Sequence, residues 1–96
     1  MLVLVAYDVN TTDKPGRKRL RRVAKACLDF GHRVQFSVFE CVVGDKEWVE
    51  LRARLVGEID PRVDSLRFYF LDRAAAERVE HHGSKEPRDL TEPLIF

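Results

Sequence analysis

The first eight residues, MLVLVAYD, run apolar from Met1 to Tyr7 and then close on a carboxylate, Asp8. A short run of this kind without helical spacing reads as a strand buried on at least one face, which places it inside a sheet. Turn-forming residues follow in NTTDKPG, residues 10–16, so the chain leaves the sheet at Asp8. The strand therefore hands an acid either to solvent or to a ligand, with a second acid, Asp13, in the loop beyond.

The periods that follow fix the company this strand keeps. A helix is predicted from Pro15 or Gly16 to Asp29, because Leu20, Val23, Ala24, Cys27 and Leu28 make one apolar stripe and Gly31 is a suitable stop. HRVQFSVFECVV is extended, either one long strand or two short ones bent near Gln35–Ser37. GDKEWVELRARLVGEID reads as a second helix with Asp45 as N-cap, Trp48, Leu51, Leu55 and Ile59 inward, and Pro61 beyond its end. SLRFYFLD alternates as a strand, and AAAERVEHHG reads as a turn leading into a short strand at Val79–His82. The closing EPLIF is apolar and is expected to pair with a sheet edge, its own or a partner's.

This order predicts an α+β, ferredoxin-like βαββαβ sandwich: two helices on one face of an antiparallel sheet, with an extra C-terminal strand, in a single domain over residues 1–96. The second sheet face is expected to carry Tyr7, Phe39 and Tyr69. Its apolar character calls for a cover that the chain does not supply, so a homodimer is expected, with the segment from about residue 79 to 96 lending a strand.

Charge narrows the partners. The net charge of +1 conceals a basic segment, KPGRKRLRRVAK, in which seven Lys or Arg stand between Lys14 and Lys25 with no acid. Mixed signs are usual on a merely solvated helix face, so this one favours phosphates, and Arg17, Arg19 and Arg22 are the candidate contacts. Arg33 is a further candidate, or else the partner of a nearby carboxylate. No apolar run approaches the ~20 residues of a membrane span, and no basic region precedes the first apolar segment, so a cytoplasmic protein without membrane contact is expected. Cys27 and Cys41 lack metal-ligand spacing and read as small apolar residues.

Asp8 either caps the strand end through turn amides or ligates a hard divalent cation. One carboxylate holds Mg²⁺ weakly; two copies of Asp8 meeting near a dimer axis would supply a pair. Ser37 has no His–Asp partner in view and reads as a strand hydroxyl. Phe39 is a core or dimer residue, or a platform for a base. His81 and His82 are adjacent, which on a strand sends them to opposite faces and argues against a shared metal.

Tyr7 and Asp8 closing the first strand, a basic helix, then Arg33, Gln35, Ser37, Val38 and Phe39 together resemble the CRISPR-associated Cas-two family of small endonucleases over Met1 to about Leu71. The resemblance implies a ferredoxin-like homodimer that sits between two dimers of the Cas-one integrase and holds double-stranded DNA during spacer acquisition. It also implies an endonuclease activity with Mg²⁺ (or Mn²⁺) on single-stranded RNA or double-stranded DNA, with Asp8 at the family's metal-binding and catalytic position. The tail fits a late strand crossing to the partner subunit. A different class stays open: a ferredoxin-like module binding nucleic acid or another ligand, without catalysis and without a CRISPR link.

Overall fold

The computed structural model of the chain describes residues 1–83. Four strands and two long helices follow in the order β1 (Leu2–Asp8), α1 (Lys14–Phe30), β2 (Gly31–Gln35), β3 (Val38–Val42), α2 (Asp45–Glu58) and β4 (Ser65–Leu71), with a short α3 (Arg73–Glu77) after them. The sheet order is β2-β3-β1-β4 and every pairing is antiparallel, which is the ferredoxin-like arrangement.

Alternation along the strands sorts their side chains. Val3, Val5 and Tyr7 of β1 lie opposite Cys41, Phe39 and the carbonyl end of the hairpin on one side, and opposite Phe70, Phe68 and Leu66 on the other. This face meets Val23, Ala26 and Cys27 of α1 and Leu51 and Leu55 of α2 in one core. Leu4, Ala6 and Asp8 point the other way, in a face shared with Val38, Glu40, Val42, Arg67, Tyr69 and Leu71. Tyr7 and Phe39 were expected on that second face, and the structure corrects this: both are buried beneath the helices, and only Tyr69 of the three stands opposite.

Several local choices explain these boundaries. Asp13 caps α1, its side chain accepting from Gly16 N at 2.8 Å, so the helix starts at Lys14, well before the apolar stripe does. The stripe itself is Val23, Ala26 and Cys27, with Leu20 and Ala24 partly covered, while Leu28 faces outward. Gly31 ends α1 and begins β2 without a loop. A Cβ there would lie 2.2 Å from Glu40 O and 2.7 Å from Cys41, so the helix–strand junction packs too tightly for any side chain. The extended segment is two strands joined at Phe36–Ser37. Gly44, not the expected Asp45, is the N-cap of α2, its amide donating to Glu47 Oε1 at 3.2 Å. Trp48 closes the open end of the core edge-on against Phe68 and Phe70 at 4.8 and 5.1 Å.

Residues 73–77 form α3 where a turn was expected, and Val79–His82 form no strand with the described sheet. The expected strand EPLIF lies outside the described residues. No described helix is long and apolar enough to cross a membrane.

Cys27 and Cys41 are both buried thiols, Cys41 Sγ lying 3.9 Å from Cys27 O. Burial pushes the Cys27 thiol up to about 12 and the Cys41 thiol up to about 11. Since the thiolate is the reactive form, neither should alkylate with iodoacetamide at pH 8 in the folded protein, whereas both should label once denaturant is added. Mass spectrometry of the native protein checks this.

Candidate functional site: the Asp8 strand end and a basic helix

Asp8 is the last residue of the central strand and lies opposite Ser65 of β4. Its side chain is exposed and shares the helix-free face with Leu4 and Ala6. The strand-capping alternative is not what the loop uses: the side chains that bind turn amides here are Asn10, which accepts from Thr12 N and Oγ1 at 3.0 and 2.7 Å, and Asp13 at the helix start.

A second acid, which the sequence did not single out, organises this end. Asp64 stands beside Ser65, its side chain fully buried, and its two oxygens accept four donors. These are Asn10 N at 2.9 Å, Asp60 N at 2.8 Å, and Arg19 Nε and Nη2 at 2.8 and 3.3 Å. Burial would raise the Asp64 carboxyl; the Arg19 guanidinium and the two backbone amides outweigh it and hold the group below the usual carboxylate range. The neighbouring Asp60 carboxyl is lowered to about 2 by Arg62, which grips it at 2.9 and 3.1 Å.

The four candidate arginines therefore part company. Arg19 turns inward on the helix, beside the Ala26 side, and its guanidinium is committed to Asp64. Arg17 is exposed, with Nη1 3.4 Å from Thr11 O, and Arg22 is exposed, 3.9 Å from Glu58. Arg33 lies over the Phe39 ring at 5.0 Å and reaches the Tyr7 hydroxyl. Tyr7 in turn donates its hydroxyl to Phe36 O at 3.3 Å and its amide to Ser37 O at 3.1 Å. Burial raises the Tyr7 phenol and the Arg33 hydrogen bond partly counters it. Tyr7, Arg33 and Phe39 thus form a clasp that holds the β2–β3 turn to β1.

The outer face of α1 adds residues that were not named as candidates. Lys14, Lys18, Arg21 and Lys25, at i, i+4, i+7 and i+11, make a row about 16 Å long at 1.5 Å per residue. Lys25 is held by Asp29 at 2.7 Å, which leaves Lys14, Lys18 and Arg21 exposed and with no ion-pair partner among the described residues. Their spacing opposite the Val23–Cys27 stripe was available in the sequence as a wheel position.

A hard oxygen donor such as Asp8 suits Mg²⁺ or Mn²⁺ in kind and falls short in number. Asp13 and Asp64 are engaged by their own caps, and among the described residues no three His, Cys, Asp or Glu gather. One subunit does not fit such an ion.

Comparison with known proteins adds to this geometry. The family model "CRISPR associated protein Cas2" matches residues 1–79. A CRISPR-associated endoribonuclease Cas2 of Chlorobaculum tepidum is 62% identical over 96 residues, covering 100% of both chains. A CRISPR-associated endonuclease Cas2 of Halalkalibacterium halodurans is 51% identical, again over the whole of both. The crystal structure of Streptococcus pyogenes Cas2 at pH 6.5 superimposes with a TM-score of 0.76 at 55% identity, over 86% of this chain and 100% of that one.

Proposed function

Since this chain belongs to the CRISPR-associated Cas2 family, we propose that it works as a cytoplasmic homodimer that holds double-stranded DNA between two dimers of the Cas-one integrase during spacer acquisition. The observation that carries the reading is the helix-free sheet face, with Leu4, Val38, Val42, Tyr69 and Leu71 on it beside Glu40 and Arg67, and the exposed Asp8 at its rim. A face with this much apolar surface on a small chain invites a second copy. Joining the two faces would bring two Asp8 ends together. Arg17, Lys18, Arg21 and Arg22 on the outward helix then supply phosphate contacts, which bind without reading sequence.

A slower endonuclease activity, on single-stranded RNA or duplex DNA, accompanies this role, as the names of the relatives suggest. Two Asp8 carboxylates would hold one Mg²⁺ or Mn²⁺, which when bound activates water and offsets charge on a phosphodiester. The chain's own part is to fix the two carboxylates and to lay the backbone of the nucleic acid along α1. Among the described residues at this end of the sheet, Asp13 and Asp64 are engaged and Asp8 is left for the task, so holding DNA is the principal function and cleavage the lesser one.

Asp8→Asn tests both parts. Cleavage that depends on Mg²⁺ should fall at least about a hundredfold, the size expected when several kcal/mol of metal assistance are removed. Duplex affinity and the dimer, read by anisotropy and sedimentation, should be unchanged. Undiminished cleavage by the variant would rule out Asp8 as the ligand, and a monomeric wild type would rule out the pairing of subunits.

A further inference from the structure

We infer that the β2–β3 turn presents Phe36 as a stacking platform for an unpaired base of single-stranded nucleic acid, in a pocket the turn shares with residues 81–83. The inference goes beyond the proposed function. It uses neither Asp8 nor a second subunit, and shares with that reading only the phosphate contacts of α1.

Phe39 was the ring expected as a base platform, and it is fully buried. Phe36, earlier in the same segment, is 82% exposed, more than any other large apolar side chain among the described residues. A scattered exposed apolar residue is ordinary, but this one is held in place. Tyr7 donates its hydroxyl to Phe36 O at 3.3 Å and its amide to Ser37 O at 3.1 Å, so the turn is tied twice to β1. A platform fixed before binding loses less freedom when a base arrives.

The ring stands beside an open pocket of about 660 Å³, lined by residues 34–38 and 81–83. That is an ordinary size for a small-ligand site and ample for one nucleotide. Val34 and Val38 give it apolar walls, while Gln35, Ser37 and His81 offer an amide, a hydroxyl and an imidazole. His82 is paired with Glu80. Groups of this kind reach the hydrogen-bonding edge of a base whose face lies on an aromatic ring. Register fixes where the pocket is: Val38 pairs with Ala6, so the turn lies at the end of the sheet where β1 stops and α1 begins. α1 packs over β2 and β3, with Lys14, Arg17 and Lys18 exposed in its first turns. A strand whose phosphates meet these side chains finds an aromatic face at the same end of the molecule. In a duplex the base faces are already stacked on one another, so only an unpaired base can use the ring.

Fluorescence anisotropy with the full chain tests this at one salt concentration. The ligands are a DNA single strand of about twelve thymidines, its RNA counterpart, an abasic DNA of the same length, and a blunt duplex. Wild type should bind the two base-bearing strands alike, and about tenfold more tightly than the abasic strand, the size expected of one base–aromatic stack. Phe36→Ala should erase that gap. It should leave the abasic strand, the duplex and the melting temperature unchanged, as suits an exposed side chain. Phe36→Trp should keep the gap and Phe36→Leu should lose it, because the site needs a flat face and not apolar bulk. Lys18→Gln should weaken all the ligands together. A gap that survives Phe36→Ala, or no gap in wild type, overturns the inference, while salt-sensitive duplex binding leaves the proposed function standing. If Phe36→Ala shifts the sedimentation of the free protein and leaves strand binding as it was, the ring belongs to a contact between copies and the inference falls. Binding to none of the ligands overturns both readings.

Discussion

Replacing Phe39 with Ala should remove about 4 kcal/mol of stability, the cost of deleting a large aromatic side chain from a core that cannot close over the gap. Phe39 is fully buried, opposite Val5 in β1, with the Tyr7 ring stacked at 6.0 Å and the Arg33 guanidinium at 5.0 Å. A domain of this size is stable by only about 5–15 kcal/mol, so the variant should melt some 15–30 °C lower on a scale of about 4–8 °C per kcal/mol. Phe39→Leu should lose much less. Thermal unfolding followed by circular dichroism distinguishes this from a base-stacking role, under which the variant would keep its melting temperature and lose nucleic-acid affinity.

The largest effect on binding should come from neutralising the row on α1. Lys14→Gln, Lys18→Gln and Arg21→Gln together should lower duplex affinity at about 0.1 M salt by a hundredfold or more. They should also flatten the slope of log K against log salt by about three, at nearly one unit for each lost phosphate contact. The three side chains are exposed and lie on the face away from Val23 and Cys27, so the fold should be little affected. Fluorescence anisotropy across a salt series reads both quantities. Arg19→Gln is the control: with its guanidinium spent on Asp64 it should leave the salt slope as it is. An unchanged slope in the triple variant would move the nucleic acid to another face.

The order of elements was legible because each carries a distinct period: the apolar run of β1, the Val23–Cys27 stripe, the alternation through Leu66 and Phe68. The side of the sheet on which each residue of β1 lies was not. Leu2, Leu4 and Ala6 are as apolar as Val3, Val5 and Tyr7, so alternation in β1 carries no polarity, and only the register against Phe39 and Phe68 assigns Tyr7 to the core. Arg19 misled for a different reason. Its partner Asp64 is 45 residues away in sequence and meets it only through the packing of α1 against the loop before β4. Asp8, by contrast, stood out at once, since a carboxylate that ends an otherwise apolar strand has few places to go. The short α3 went unread because five residues rich in Ala satisfy turn and helix alike.

The sheet order β2-β3-β1-β4 has a consequence for how the chain is made. The inner strand β1 is the earliest of the four to leave the ribosome, and its two neighbours end only at Val42 and Leu71. At roughly 5–20 residues per second, LVLVAY waits several seconds with one or both hydrogen-bonding edges bare. A nascent chain with that profile is sticky until β4 arrives, so slowed elongation between α1 and β4 should raise aggregation during synthesis more than slowing after Leu71.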